Sequence, residues 1–234
     1  MNWINRIGLI AVLMCTISFA RAQGTESTNY RNTTNRGLYL GASASTNGWG
    51  INARYALNDK FSLKTGYENL SLSYTFNFNE YEIEYDADLD FKTGGILALL
   101  DFSYTRNLYL SGGVVFTAFN AEVKGNAISD LQYGDIVIPA EDIGTFKFVA
   151  EPGLKVSPYI GAGYQAFMGK RDGVVFNFET GLYYMGAPDF TIEADGLLAP
   201  TADPAFGQEE YLESQFDAYK IYPVIKLNLA FKIF

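Results

Sequence analysis

A row of carboxylates has the clearest potential for chemistry in this sequence. Acidic residues take every second position of one segment: Glu80, Glu82, Glu84, Asp86, Asp88 and Asp90. In an extended chain these side chains share one face, and ligand sets made only of oxygen suit Ca²⁺ or Mg²⁺. However, Asp90 is followed by Phe91 rather than by the glycine of a helix-loop-helix calcium site. The row therefore favours the solvated face of a hairpin, with a divalent-cation site at Asp86, Asp88 and Asp90 as the alternative.

Histidine is absent from the sequence. This excludes Ser-His and Cys-His nucleophilic sites, histidine acid-base pairs and histidine-ligated zinc. A mechanism built on carboxylates or lysine stays open, but the sequence favours a non-enzymatic protein without a cofactor.

Seven charged residues lie on the polar faces of segments in which apolar and polar side chains alternate: Arg54, Lys64, Glu68, Asp101, Glu179, Lys226 and Lys232. If these faces line the lumen of a barrel, four positive and three negative groups nearly cancel. The interior of an eight-stranded barrel is just wide enough to be filled by side chains, and buried charges need partners. The pattern favours a mutually paired polar plug over a narrow polar path.

The alternation that positions these residues predicts eight antiparallel strands. It is plainest in YPVIKLNLAFKIF, from Tyr222 to Phe234, where one face is apolar. An even number of strands, with short connections at one end and mostly long ones at the other, is typical of an up-and-down transmembrane barrel. The predicted strands cover residues 37–45, 49–57, 61–78, 96–104, 108–123, 156–167, 174–184 and 222–234.

Long connections are predicted at about 78 to 94, 124 to 147 and 186 to 219. The last is expected to hold one short helix over about 207 to 218, because Asp203-Pro204 resembles a helix start and apolar residues follow at helical spacing. Within the third predicted strand the apolar phase flips past Asn69. A one-residue bulge there would keep both apolar sets on one face.

The first 22 residues have the form of a secretory signal peptide, with an apolar stretch followed by Ala20-Arg21-Ala22. Cys15, the one cysteine of the chain, lies inside this stretch. Removing Arg6 and Arg21 leaves 15 basic against 26 acidic residues, a net charge of −11 instead of −9, which argues against nucleic acid as a partner. We predict a flexible leader at 23–36 and a barrel domain at 37–234.

Several segments resemble a poorly characterised family of Gram-negative outer-membrane β-barrel proteins, the small OmpX- or OmpW-like barrels. They are YDADLDFKTGGILALLDF (from Tyr85), VSPYIGAGY (from Val156), GLYYMGAPDFTIEADG (from Gly181) and the C-terminal segment YPVIKLNLAFKIF. The resemblance covers most of the chain from Gly37. It implies an all-β barrel in the bacterial outer membrane, in contact with lipid and lipopolysaccharide, and inserted by the barrel-assembly machinery. It implies no chemistry.

Besides a lipid-modifying enzyme without histidine, the sequence leaves two functions open for such a barrel, which we expect to be a monomer. The favoured one is a structural role in the envelope or an interaction at the cell surface, and the alternative is a narrow conduit or binding barrel for small or hydrophobic molecules. Aromatic residues near strand ends are expected to form belts at the membrane interfaces: Tyr39, Trp49, Tyr55, Tyr67, Tyr104, Tyr164 and Tyr184.

Overall fold

The computed structural model describes residues 36–169, 172–216 and 218–234. The predicted signal peptide and all of the predicted leader up to residue 35 lie outside this part of the chain. The described chain is all-β with few helices. None of its helices has the length and apolar character needed to cross a bilayer.

Thirteen strands, two short α-helices and two 3₁₀ segments are described. The strands are β1 (Gly37–Ser45), β2 (Gly48–Ala56), β3 (Phe61–Glu80), β4 (Ile83–Ser103), β5 (Leu108–Thr117), β6 (Asn120–Ala127), β7 (Leu131–Tyr133), β8 (Ile136–Ile138), β9 (Thr145–Pro152), β10 (Val156–Met168), β11 (Val174–Tyr184), β12 (Pro188–Ala194) and β13 (Ile221–Lys232). The helices are α1 (Ala140–Ile143) and α2 (Gln208–Phe216), and the 3₁₀ segments are Gly196–Ala202 and Pro204–Phe206.

Eight of these strands pair into a closed antiparallel ring. The order is β1, β2, β3, β4, β5, β10, β11 and β13. The ring closes where β13 pairs with β1, from Tyr39↔Lys232 to Ser45↔Lys226. The strongly alternating C-terminal segment therefore completes the ring of paired strands, which supports the predicted β-barrel class. We refer to the space inside the ring as the lumen.

The connections differ between the two ends of the ring. At the lower end, where Gly37 and Phe234 lie, the connections span residues 57–60, 104–107 and 169–173. At the upper end the connection after β5 runs from 118 to 155 and the one after β11 from 185 to 220. The turn after β1 is limited to Thr46 and Asn47, one residue earlier than the Asn47-Gly48 turn that the sequence predicted.

The predicted loop at 78–94 is wrong. β3 and β4 continue through it as one long hairpin whose turn is Tyr81-Glu82, with φ of 50° and 68°. A two-residue turn with positive φ at both positions matches the twist of the flanking strands. The acidic segment therefore lies on a paired hairpin, as its alternation predicted, and not in an irregular connection.

The predicted bulge near Asn69 is also wrong. Pairing between β3 and β4 runs in one register from Phe61↔Phe102 to Glu80↔Ile83. Because side chains alternate strictly along a strand, Leu72 and Tyr74 lie on the same face as the lumen residues Lys64 and Glu68. The apolar set thus changes from the outer to the inner face.

Above the ring, five strand segments form a raised sheet. It consists of the upper parts of β3 and β4 followed by β6, β9 and β12. β5 and β6 follow β4 in one register and are separated only at Ala118 and Phe119, so the predicted strand at 108–123 is two strands. The predicted loop at 124–147 contains the end of β6, the small β7–β8 hairpin and α1, and it reaches the start of β9.

The long connection before β13 holds the predicted helix as α2, and it also contains β12 and both 3₁₀ segments. α2 packs beside β12, where the Glu209 carboxylate accepts a hydrogen bond of 2.8 Å from the Ile192 backbone N–H. The rings of Phe190 and Phe216 pack against each other in the same contact, with centroids 5.3 Å apart. The helix thus covers part of the free edge of the raised sheet.

The distribution of polar and apolar residues inverts between the ring and the raised sheet. On the outer face of β3, Leu63 and Tyr67 are exposed within the ring, whereas Ser73, Thr75 and Asn77 occupy that face above it. On the inner face, polar residues lie within the ring and apolar residues lie above it. Inside the raised sheet lies an apolar core of Ile83, Tyr85, Ala87, Ala127, Ile143 and Phe146.

Candidate functional site

The lumen is the place where the structure gathers charged side chains. Arg54 on β2 lies directly across from Lys64 on β3, and Glu179 on β11 lies across from Lys226 on β13. These residues occupy inward positions because their strands alternate, with apolar neighbours facing out. The ring then brings strands that are distant in sequence to opposite sides of one narrow space.

Lys64 is the centre of the lower part of this network. Its Nζ lies 2.5 Å from Glu179 Oε2 and 3.2 Å from Asp101 Oδ1. Asp101 also lies 3.6 Å from Arg54 Nε. Arg54 donates hydrogen bonds to Ser62 at 2.9 Å and to Gln165 at 2.6 Å. One ammonium and one guanidinium are therefore held between two carboxylates from different strands.

Hydroxyl groups complete the coordination of these carboxylates. Tyr109 and Tyr159 each donate a hydrogen bond of 2.7 Å to Glu179, one to each oxygen. Ser111 donates to Asp101. Because hydrogen bonds to charged groups are stronger than neutral ones, they compensate part of the cost of burying the carboxylates.

A second ion pair lies higher in the lumen. Lys226 Nζ is 2.7 Å from Glu68 Oε1. Ser43 and Ser45 donate to the same carboxylate at 3.2 and 3.0 Å, and Asn47 donates at 3.4 Å. Side chains from β13, from β1 and from the turn after β1 thus converge on Glu68, which is 1 % exposed.

Six of the seven charged residues predicted for the lumen are buried and meet in these two groups, but Lys232 does not join them. It is half-buried at the lower end of β13, with its Nζ 5.8 Å from the ring centroid of Tyr39. Without it, three cations (Arg54, Lys64 and Lys226) balance three anions (Glu68, Asp101 and Glu179). The described network carries no net charge.

Tyr39 differs from the expectation that it belongs to an interfacial belt. It faces the lumen and is 2 % exposed. The reason is its position in β1, where the outward positions belong to Leu38, Leu40 and Ala42 rather than to the odd-numbered residues.

The lumen leaves almost no open space. A cavity of about 10 Å³ lies between the two charged groups, and Asn52, Asn177 and Asn228 contribute to its lining. This volume corresponds to about one water molecule. Above it, Leu97, Val115, Tyr183, Met185 and Val224 pack into an apolar cluster. The arrangement can fix the strands to one another, and the described side chains fill most of the space between the two charged groups.

With this geometry established, solved structures offer a comparison. CarO2 of Acinetobacter baumannii aligns with a TM-score of 0.53 and 18% sequence identity over 84% of this chain and 98% of CarO2. CarO of the same organism aligns with a TM-score of 0.50 and 18% identity over 83% of this chain and 96% of CarO. The chain shares the CarO fold. No family model and no curated protein matches the sequence.

Tyr109 and Tyr159 are site residues that the sequence reasoning missed. Glycines on β10 and β11 make room for them: a methyl group at Gly163 would lie 2.3 Å from the Tyr109 ring, and one at Gly181 would lie 2.2 Å from the Tyr159 hydroxyl oxygen. Glycine on the inward face of two neighbouring strands was therefore the signal that a large side chain fills the space opposite.

The acidic row does not share one face as expected: Glu84, Asp86, Asp88 and Asp90 face outward on β4, whereas Glu82 lies in the turn. Glu80 belongs to β3, where it pairs with the inward Ile83. Thr75 and Ser73 donate hydrogen bonds of 2.5 Å to Asp88 and Asp90, respectively. Lys124 on β6 is the register partner of Asp88. No group of three or more potential metal ligands is found among the described residues. Two carboxylates of the row therefore accept hydrogen bonds from hydroxyl groups of the neighbouring strand.

Proposed function

We propose that the protein is an integral outer-membrane barrel with a closed lumen and a non-enzymatic role at the cell surface. The inversion of polarity along β3 carries this proposal. Over one uninterrupted strand the apolar side chains change from the outer to the inner face. This is the change that a strand makes when its outer surroundings change from lipid to water.

The exposed apolar surface of the ring supports a membrane location. Outward apolar residues occur on strands all around it, among them Leu40, Ile51, Leu63, Leu100, Leu110, Ile160, Leu182, Leu227 and Phe231. Such a continuous surface exceeds what monomeric soluble proteins expose. Trp49, Tyr67 and Tyr184 lie near its upper rim, and Tyr55, Tyr104 and Tyr164 near its lower rim, where aromatic side chains suit the membrane interfaces.

A location in the outer membrane agrees with the other expectations from the sequence. The signal peptide directs export, the assembly machinery inserts the chain as a monomer, and the exposed apolar surface of the ring contacts lipid and lipopolysaccharide. Gly37 and Phe234 lie at the lower end with the short turns, so this end faces the periplasm and the raised sheet faces outward.

The balanced network supports a plug rather than a conduit. Opening a path would separate Lys64 from two carboxylates and leave buried charges without partners, which is costly. The described lumen holds a cavity of only about 10 Å³. The raised sheet, by contrast, presents an extensive folded surface to the exterior, which favours a role in surface interaction.

Two measurements test this function. A barrel folded in detergent is expected to migrate differently on a gel before and after boiling, and liposomes that contain it are expected to remain impermeable to small sugars. Identical mobility under both conditions contradicts the barrel. Rapid liposome swelling contradicts the closed lumen and supports the conduit instead.

A further inference from the structure

We infer that the upper edge of β3 binds an extended polypeptide segment by strand addition, with apolar residues on one face of that segment and basic residues on the other. This inference rests on the proposed function, because it requires the raised sheet to stand outside the membrane. It names the class of partner that the surface would bind.

The first observation is an unpaired strand edge. Pairing of β3 with β2 ends at Trp49↔Asn69, whereas pairing with β4 continues to Glu80↔Ile83. From Leu70 to Glu80, β4 is the only paired neighbour of β3 among the described strands. Backbone groups along this edge are thus available for pairing with another strand.

The second observation is that the edge lacks the usual protection. Proteins normally block exposed edges with proline, lysine, bulges or very short strands. The segment LSLSYTFNFNE from Leu70 to Glu80 contains neither proline nor lysine, and its pairing register has no bulge. The sequence therefore leaves open an edge that selection against aggregation would ordinarily close.

The third observation concerns the inner face of the edge. Leu72 is 55% exposed and Tyr74 is 66% exposed. The rings of Tyr74, Phe76, Phe78 and Tyr85 follow one another at centroid distances of 6.2, 6.0 and 5.2 Å. Apolar side chains of an added strand would cover this ladder of aromatic rings, since cross-strand aromatic and β-branched pairs stabilise sheets.

The charge of the partner follows from the outer face. Ser73 and Thr75 lie beside Asp90 and Asp88, so the added strand would lie one strand away from the acidic row. Long basic side chains at its outward positions can reach over the short hydroxyl residues toward these carboxylates. The whole chain carries a net charge of −9, which also favours a basic partner.

A second copy in the same membrane fits this edge poorly. In a dimer whose two-fold axis lies along the membrane normal, both β3 strands point away from the membrane and are therefore parallel. Two identical strand edges that pair with each other must instead be antiparallel. A separate polypeptide is free of this constraint and can approach in either direction. The partner is therefore a different chain with an exposed extended segment.

The test uses the full mature protein folded in detergent and a peptide of about nine residues in which lysine and valine alternate. Binding is followed by fluorescence anisotropy, and hydrogen exchange identifies the residues that the peptide protects. We expect protection in 70–80. A version methylated at every backbone nitrogen, which keeps the side chains but cannot donate hydrogen bonds to β3 from either edge, should bind at least about tenfold more weakly.

Two variants distinguish binding of the peptide at the β3 edge from nonspecific electrostatic attraction between the basic peptide and the acidic protein. Tyr74→Lys places a positive charge on the exposed edge and should weaken peptide binding by about tenfold or more. Tyr211→Lys makes the same substitution at a residue that is 60% exposed on α2 and should leave binding unchanged within about twofold. Both variants must keep heat-modifiable gel mobility, which shows that the barrel is folded.

The outcomes distinguish failure of the proposed barrel from failure of strand addition at the β3 edge. A protein without heat-modifiable mobility contradicts the barrel itself. A folded protein that binds neither peptide, or that binds the methylated and unmethylated peptides equally, contradicts strand addition alone. Concentration-dependent dimers that Tyr74→Lys abolishes would identify a second copy as the occupant and overturn the assignment to a separate basic chain.

Discussion

Lys64 Nζ and Glu179 Oε2 lie 2.5 Å apart and join β3 to β11 across the lumen. The two residues are separated by 115 positions in sequence, and their contact depends on closure of the ring. Neither strand is a neighbour of the other in the sheet. This ion pair therefore connects opposite walls of the barrel in a way that backbone pairing alone does not.

Removal of the central ammonium should destabilise the barrel strongly. Lys64→Met leaves Asp101 and Glu179 without their shared partner, and loss of one member of a buried ion pair costs about 3 to 5 kcal/mol. The free energy of unfolding in detergent, followed by the fluorescence of Trp49 in a urea titration, measures this cost. Lys232→Met is the matched control. Because Lys232 lies outside the network, its loss should cost less than about 1 kcal/mol.

The double variant Lys64→Met with Glu179→Gln provides a further check on this network. If the two side chains act as one unit, the double variant should lose clearly less stability than the sum of the two single variants. Strictly additive losses would show that Lys64 and Glu179 stabilise the barrel independently.

Glycines opposite the phenols should resist substitution. Gly181→Ala places a methyl group 2.2 Å from the Tyr159 hydroxyl oxygen, so this phenol must move away from Glu179. Overpacking and a lost hydrogen bond to a charged group together predict a loss of about 2 to 4 kcal/mol. Gly112→Ala is the control, since a methyl group there meets no atom within 4 Å. Equal stability of both variants would contradict tight packing around Glu179.

Exposure of the raised sheet on the cell surface can be measured with engineered cysteines, because the predicted mature chain has none. Asn77→Cys lies on the outer face of the raised sheet, and Asp59→Cys lies in a lower turn. A maleimide that cannot cross membranes should label Asn77→Cys on intact cells. Asp59→Cys should react only after the outer membrane is permeabilised. The reverse pattern would show that the barrel is inserted with the opposite orientation.

The sequence predicted which face of each strand carries Glu179, Asp101 and Lys226, because alternation directly records the face. Alternation does not give the position of a side chain along the barrel axis. Lys232 was therefore grouped with the lumen residues although it lies at the lower end of its strand. Tyr109 and Tyr159 were missed because tyrosine suits both lipid interfaces and buried polar sites. The contacts that identify them arise only when β5 lies beside Gly163 of β10 and β10 lies beside Gly181 of β11.

The phase flip past Asn69 shows a different limit. Alternation reports the polarity of each face relative to its surroundings, and the same pattern results when a bulge shifts the chain or when the surroundings change. The bulge is the expected explanation if the outer face of the strand contacts the same surroundings along its whole length. The continuous register of β3 with β4 identifies the second explanation.

The change of environment along β3 predicts opposite outcomes for two matched substitutions. Thr65 and Thr75 share the outer face of the strand, and each donates one hydrogen bond, to the Leu97 carbonyl and to the Asp88 carboxylate, respectively. They are separated by roughly 33 Å along an extended strand. Thr65→Arg places a charge within the lipid-facing belt and should cost about 2 to 4 kcal/mol.

Thr75→Arg removes a comparable hydrogen bond but leaves the new charge in water beside Asp88, so its cost should stay below about 1 kcal/mol. The measurement is folding into lipid vesicles, with urea titration of both variants and of the unsubstituted protein. Detergent alone is insufficient because a micelle adapts its thickness to the protein. Equal losses for the two arginines would mean that Thr65 and Thr75 experience the same surroundings, and the membrane boundary proposed near Asn69 would then be wrong.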